Sequence, residues 1–145
     1  MMRLTAILSI CLVMMVEAAE ACSCIRFGSA AEQVLSTDVV FEGVALETIE
    51  IKGAADDYGR LMTVFEVTAS FKGNAAETIN VYHSDPSICC ICGVGFAEGH
   101  SYMIFAYERQ NGDLGTSSCS SAQFPREAYD EIFHELSEAE KPDAE

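Results

Sequence analysis

Tryptophan is absent from the 145-residue chain, and proline and histidine occur three times each. Basic residues are scarce: Lys and Arg number 8 against 23 Asp and Glu, a net charge of −15. A polyanion of this kind is repelled by phosphate backbones and anionic lipid heads, which argues against nucleic acid and polybasic membrane docking. No apolar run reaches the roughly 20 residues of a membrane-spanning helix, so no membrane span is expected. His83, His100 and His134 lie far apart and include no His-x-x-x-His pair, so the chain is expected to hold no metal of its own. Gly93, Gly95 and Gly99 lack the lysine and following helix of a phosphate-cradling loop. The carboxylates are abundant, but no pair stands out for acid–base work. The expectation is a protein that is not an enzyme and carries no cofactor.

Half the residues are hydrophobic and 21% are charged, so a packed core is expected, in one domain with a short extension. Seven cysteines narrow the reading most. Arg3, the apolar run Leu4 to Val16 and the small-x-small triplet Ala19-Glu20-Ala21 have the layout of a signal peptide over residues 1–21. Its cleavage removes Cys11 and leaves six cysteines in a mature chain whose first residue is Cys22. An even number in an exported chain, secreted or periplasmic, reads as a disulfide framework. A cysteine just after a signal also suits a lipoprotein's acylated residue, although Ala19 and Glu20 fit that pattern poorly.

Ser29-Ala30-Ala31-Glu32 matches a capping box and predicts a short helix from Ser29 to Leu35. Asp38 to Ile51, rich in Val, Ile, Phe and Thr, suits a strand with a bulge or bend at Gly43, and Lys52 to Gly59 reads as a polar hairpin turn. Over Arg60 to Phe71, Thr63, Phe65, Val67, Ala69 and Phe71 alternate with the intervening residues at the period of a half-buried strand. Thr78 to His83 is a further short strand, and Ser84 to Ile91 a cysteine-bearing loop. His100 to Glu108, apolar on both faces, predicts a central strand that returns through Asn111-Gly112 to a strand from Leu114 to Cys119. After Pro125 the period becomes helical. Ala128, Ile132 and Leu136 form a stripe flanked by Tyr129 and Phe133, while Arg126, Glu127, Asp130, Glu131 and Glu135 face water. The expected organisation is a mainly β, five- to six-stranded barrel over 22–124, a helix over 125–137 and an acidic tail over 138–145. An immunoglobulin-like sandwich fits less well, because no Trp is present to pack on a disulfide.

The cysteines form Cys22-x-Cys24, the cluster Cys89-Cys90-Ile91-Cys92, and Cys119. Cys22 and Cys24 are poor partners for each other, since so small a ring strains the bond. Cys-Ser-Cys-Ile after a signal, Asp38 to Gly43, Phe65-Glu66-Val67 with Phe71-Lys72-Gly73, Cys92 to Phe96, and Thr116 to Cys119 together set a pattern. In order and spacing it resembles the tissue inhibitors of metalloproteinases and, more broadly, the netrin module with its OB-type barrel. The likeness covers Cys22 to Cys119 and suggests a single-domain member of bacterial type.

That resemblance implies the pairs Cys22–Cys92 and Cys24–Cys119, a monomer, and a zinc metalloprotease as partner. It places a protease-binding ridge on Cys22, Ser23, Cys24 and Ile25, backed by Cys90 and Ile91. The α-amine and carbonyl of Cys22 would chelate the protease's zinc at the position it keeps open for water. The family's pattern is not complete here. A disulfide reaching the region of Val34 is missing, the second subdomain is replaced by a helix, and Arg26 stands where the inhibitors tend to have proline. Cys89 and Cys90 have no counterpart pair; a vicinal disulfide, thiols, or exchange with Cys92 all remain open. The alternative function is an envelope or extracellular binding module on the same barrel without inhibitory activity.

Overall fold

The computed structural model describes residues 22–52, 60–73, 75–88 and 90–139. The expected signal peptide, most of the Lys52–Gly59 turn, Cys89 and the last six residues of the tail lie outside the described residues.

The chain opens without regular structure and enters α1 (Ala30–Leu35). Ser29 is the cap and not the first helical residue: its Oγ accepts from Glu32 N–H at 3.1 Å, and Glu32 Oε2 accepts from Gly28 N–H at 2.7 Å. At the other end Lys72 Nζ donates to the carbonyls of Val34 and Leu35 at 2.8 and 2.9 Å, and also to Thr37 O. A lysine from the barrel thus satisfies carbonyls that the last turn leaves open.

Five strands follow: β1 (Val39–Glu50), β2 (Leu61–Lys72), β3 (Thr78–His83), β4 (Ser101–Glu108) and β5 (Leu114–Gly115). They close into an OB-like barrel in the order β1-β2-β3-β5-β4, with β4 pairing back onto β1. All pairs are antiparallel except β3–β5. The bend expected at Gly43 is present as a register shift between Glu42 and Gly43, where a Cβ would stand 2.8 Å from Glu66 O. Further shifts beside Phe41 and between Ala45 and Glu47 curl β1 around the barrel.

The return strand expected from Leu114 to Cys119 is shorter: two residues pair, and Ser118–Ser120 form a 3-10 turn. Local hydrogen bonding explains the difference. Thr116 N–H still donates to Tyr82 O of β3, but it is the Thr116 hydroxyl that reaches Phe105 O of β4, at 2.9 Å. The Ser118 N–H then turns to Cys92 O.

Consecutive residues of β1 and β4 serve two cores. Phe41, Ala45, Phe65, Val81, Ile104 and Ala106 fill one cluster. Val40 and Phe105, on the opposite faces of their strands, pack with Ala30, Val34, Tyr129 and Phe133 in a second. This two-sided burial is why β4 is apolar on both faces. The C-terminal helix, α2 (Arg126–Ala139), extends two residues past the expected end, since no Gly or Pro interrupts it before Pro142. Its buried residues are Tyr129 and Phe133, while Ala128, Ile132 and Leu136 are partly buried against the same cluster. Phe133 stacks on Phe71 with centroids 4.0 Å apart. Arg126 is bound rather than simply solvated: it pairs with Glu42 at 2.9 Å and Asp130 at 2.7 Å and lies over the Phe71 ring.

His83 ends β3 in a buried site, its Nε2 sharing a hydrogen bond with Thr63 Oγ1 at 2.8 Å, which in turn meets Thr48 Oγ1 at 2.7 Å. Burial pushes its pKa below the ordinary 6.5, against smaller raising effects from the Ser84 and Val94 backbone and Asp85. The unfolded chain therefore binds a proton at a higher pH than the native state, and stability falls as pH drops below 6.5. Urea unfolding at stepped pH is expected to show His83→Gln losing less stability than the wild type between pH 7 and 5. Parallel losses would contradict this account.

Candidate functional site

The segment from Cys22 to Phe27 has neither helix nor strand pairing, yet it is anchored at four points. Cys22 is bonded to Cys92 and Cys24 to Cys119, with Cα–Cα distances of 5.6 and 5.1 Å. These are the pairs the resemblance implies. Downstream, the side-chain amide of Gln123 donates to Ile25 O at 2.8 Å and accepts from Phe27 N–H at 3.1 Å.

The two receiving loops are themselves tied together. Ser118 donates to Cys92 O from both its N–H, at 3.0 Å, and its hydroxyl, at 3.1 Å. Cys90 and Cys92 both adopt positive φ, 72° and 52°, a region that ordinary residues rarely occupy and that here reverses the loop sharply. Gly93 follows, so close to Asp85 that a Cβ would sit 2.4 Å from its carbonyl oxygen. Asp85 caps its own turn by accepting from Ser87 N–H and Oγ at 2.8 and 2.6 Å, and these bonds hold its carboxyl below the usual range.

A buried polar network supports Gln123 from behind. Tyr129 Oη donates to Gln33 Oε1 at 2.5 Å and accepts from the N–H groups of Gln123 and Phe124 at 3.0 and 3.2 Å. Gln33 Nε2 donates to Ser121 O, and Gln33 Oε1 also accepts from Gln123 N–H. Gln33 and Tyr129 are fully buried, and their polar atoms satisfy one another, as a buried network must.

Ser23, Cys24 and Ile25 are exposed, Ile25 at 76% of its surface. Beside them runs an open groove of about 750 Å³, lined by Cys22, Ile25, Phe27, Cys119, Gln123 and Phe124 among others. Cys90 is exposed and disulfide-bonded. Ile91 lines a neighbouring pocket of about 240 Å³, with Tyr82, His83, Cys92, Tyr107 and Thr116. Among the described residues no group of three His, Cys, Asp or Glu could hold a metal ion, and no helix is long and apolar enough to cross a membrane. The disulfides are those of a chain matured in an oxidising environment.

Gln33, Gln123 and Tyr129 are the site residues that sequence reasoning missed. Gln33 carries a readable signal, since Ala30, Gln33 and Val34 share one helical face and a polar residue there needs a partner. Nothing around Gln123 marks it. The chain matches no protein-family model and no curated protein.

Proposed function

We propose that this chain is an exported, disulfide-stapled inhibitor of zinc metalloproteases, similar to the tissue inhibitors of metalloproteinases and built on a netrin-type barrel. One observation carries the reading: Ser23 to Ile25 form an exposed ridge that follows directly on a half-buried Cys22, itself bonded to Cys92 in the loop between β3 and β4. Removal of residues 1–21, in the periplasm or outside the cell, leaves the Cys22 α-amine at the front of that ridge. The amine and the Cys22 carbonyl then close a five-membered chelate on a protease zinc, displacing its water. An α-amine with a pKa of about 7.7–8.0 supplies a neutral fraction at pH 7 for this bond. Fixing the residue beforehand removes ordering cost from binding. Ser23 is the next side chain and enters the adjoining substrate pocket, where a small hydroxyl fits without selecting strongly. The chain acts as a monomer and contributes no metal.

A second reading, a binding module on the same barrel with no inhibitory activity, draws on apolar residues exposed away from the ridge, Leu35 at 72% and Leu46 at 46%. One experiment separates the two. Protein beginning at Cys22 is assayed against a panel of zinc endopeptidases beside a form retaining Ala21 and a form acetylated at the α-amine. The proposal expects inhibition by the first alone, with identical thermal unfolding in all three. Equal inhibition by the extended form rules out the chelate; no inhibition by any form leaves the binding module.

A further inference from the structure

The Gln123 amide bonds the carbonyl just before Arg26 and the N–H just after it, the two groups that a parallel neighbouring strand would take. A single side chain thus replaces a strand at the place where the ridge leaves the disulfides. Arg26's own N–H and C=O take no hydrogen bond among the described residues. Gln123 is itself held through its backbone N–H by Gln33 and Tyr129, so α1 and α2 both bear on the ridge. The disulfides fix Cys22 and Cys24, but Ile25 lies beyond both, and among the described residues this clamp alone ties its carbonyl.

We propose that Gln123 is a positioning residue of the ridge, setting the path of Ile25 to Phe27 and making the C-terminal helix part of the binding site. The inference rests on the inhibitory reading above for its consequence in binding, and on geometry alone for the clamp. Gln123 is exposed, so its replacement leaves the cores intact.

The test compares wild type, Gln123→Ala and Gln123→Glu, all beginning at Cys22, by amide hydrogen exchange, thermal unfolding and inhibition of a zinc endopeptidase. In Gln123→Ala the Phe27 amide is expected to exchange at least about tenfold faster, since a bond of ordinary strength is lost. Inhibition weakens about tenfold, the equivalent of about 1.4 kcal/mol. Gln123→Glu keeps an acceptor for Phe27 N–H but has no donor for Ile25 O, so it retains Phe27 protection while inhibition falls. A residue with a merely structural role would lower thermal stability in step with inhibition and give no such split. Unchanged Phe27 exchange in Gln123→Ala overturns the clamp. Faster exchange with undiminished inhibition overturns its role in positioning. A wild type that inhibits nothing, with Phe27 exchange still dependent on Gln123, defeats the inhibitory reading while upholding the clamp.

Discussion

Replacing Cys24 and Cys119 together by serine is expected to lower the unfolding free energy by up to about 4.5 kcal/mol. The bond closes a span of 95 positions, and a loop of that length removes much of the freedom of the unfolded chain. Against a total stability of about 5–15 kcal/mol for an ordinary domain, the loss is large. It corresponds to a fall of roughly 15 °C in melting temperature for a chain of this size. Replacing both cysteines avoids leaving a thiol that could exchange with the Cys89–Cys92 cluster. Non-reducing thermal unfolding by circular dichroism checks the claim. A fall of only a degree or two would mean that the unfolded chain is already compact at this span. Should the variant keep inhibiting while being far less stable, the Cys22–Cys92 bond alone suffices to hold the amine.

Phe65→Ala is expected to cost about 3–5 kcal/mol, the range for emptying a large aromatic site that cannot collapse. Phe65 is fully buried inside the barrel, edge-on to Phe41 at 5.7 Å and to Phe96 at 5.1 Å. Phe96 comes from the loop between β3 and β4 and also meets His83 and Tyr102 edge-on at 5.1 Å each. That loop carries Cys92, so the cavity has a local effect as well as a global one. The amide of Val94, which donates to Ser84 O, is expected to exchange faster in the variant than its loss of global stability explains. Urea unfolding gives the global figure, and residue-resolved exchange gives the local one. Equal protection of Val94 after correction for stability would show that Phe96 does not transmit the change.

The strands were legible where neighbours alternate between core and solvent. Thr63 and Phe65 are buried on β2, and Glu66 between Phe65 and Val67 is exposed, so period two was enough. Ser29 and Glu32 marked α1 through the hydrogen bonds they make locally. The short β5 was not legible, because Thr116 exchanges a ladder bond for a side-chain bond to a residue eleven positions away. Tyr129 and Phe133 prevailed over the aliphatic stripe of α2 because Phe105 and Phe71 stand opposite them, and such facing pairs come from distant segments. The pairing of six cysteines admits fifteen arrangements and came from the resemblance, since composition cannot select among them. The exposed residues Ser23, Cys24 and Ile25 could be named from the resemblance. Their support could not: Gln123 acts across 96 and 98 positions, and only the folded chain brings those groups together.

The seam between β3 and β4 is filled by β5 with only Leu114 and Gly115, two residues where the other junctions run to six or more. Cys119 comes four positions later, so its bond to Cys24 closes over the end of that short strand. The covalent bond thus stands next to the place where the barrel has the fewest ladder partners to hold it.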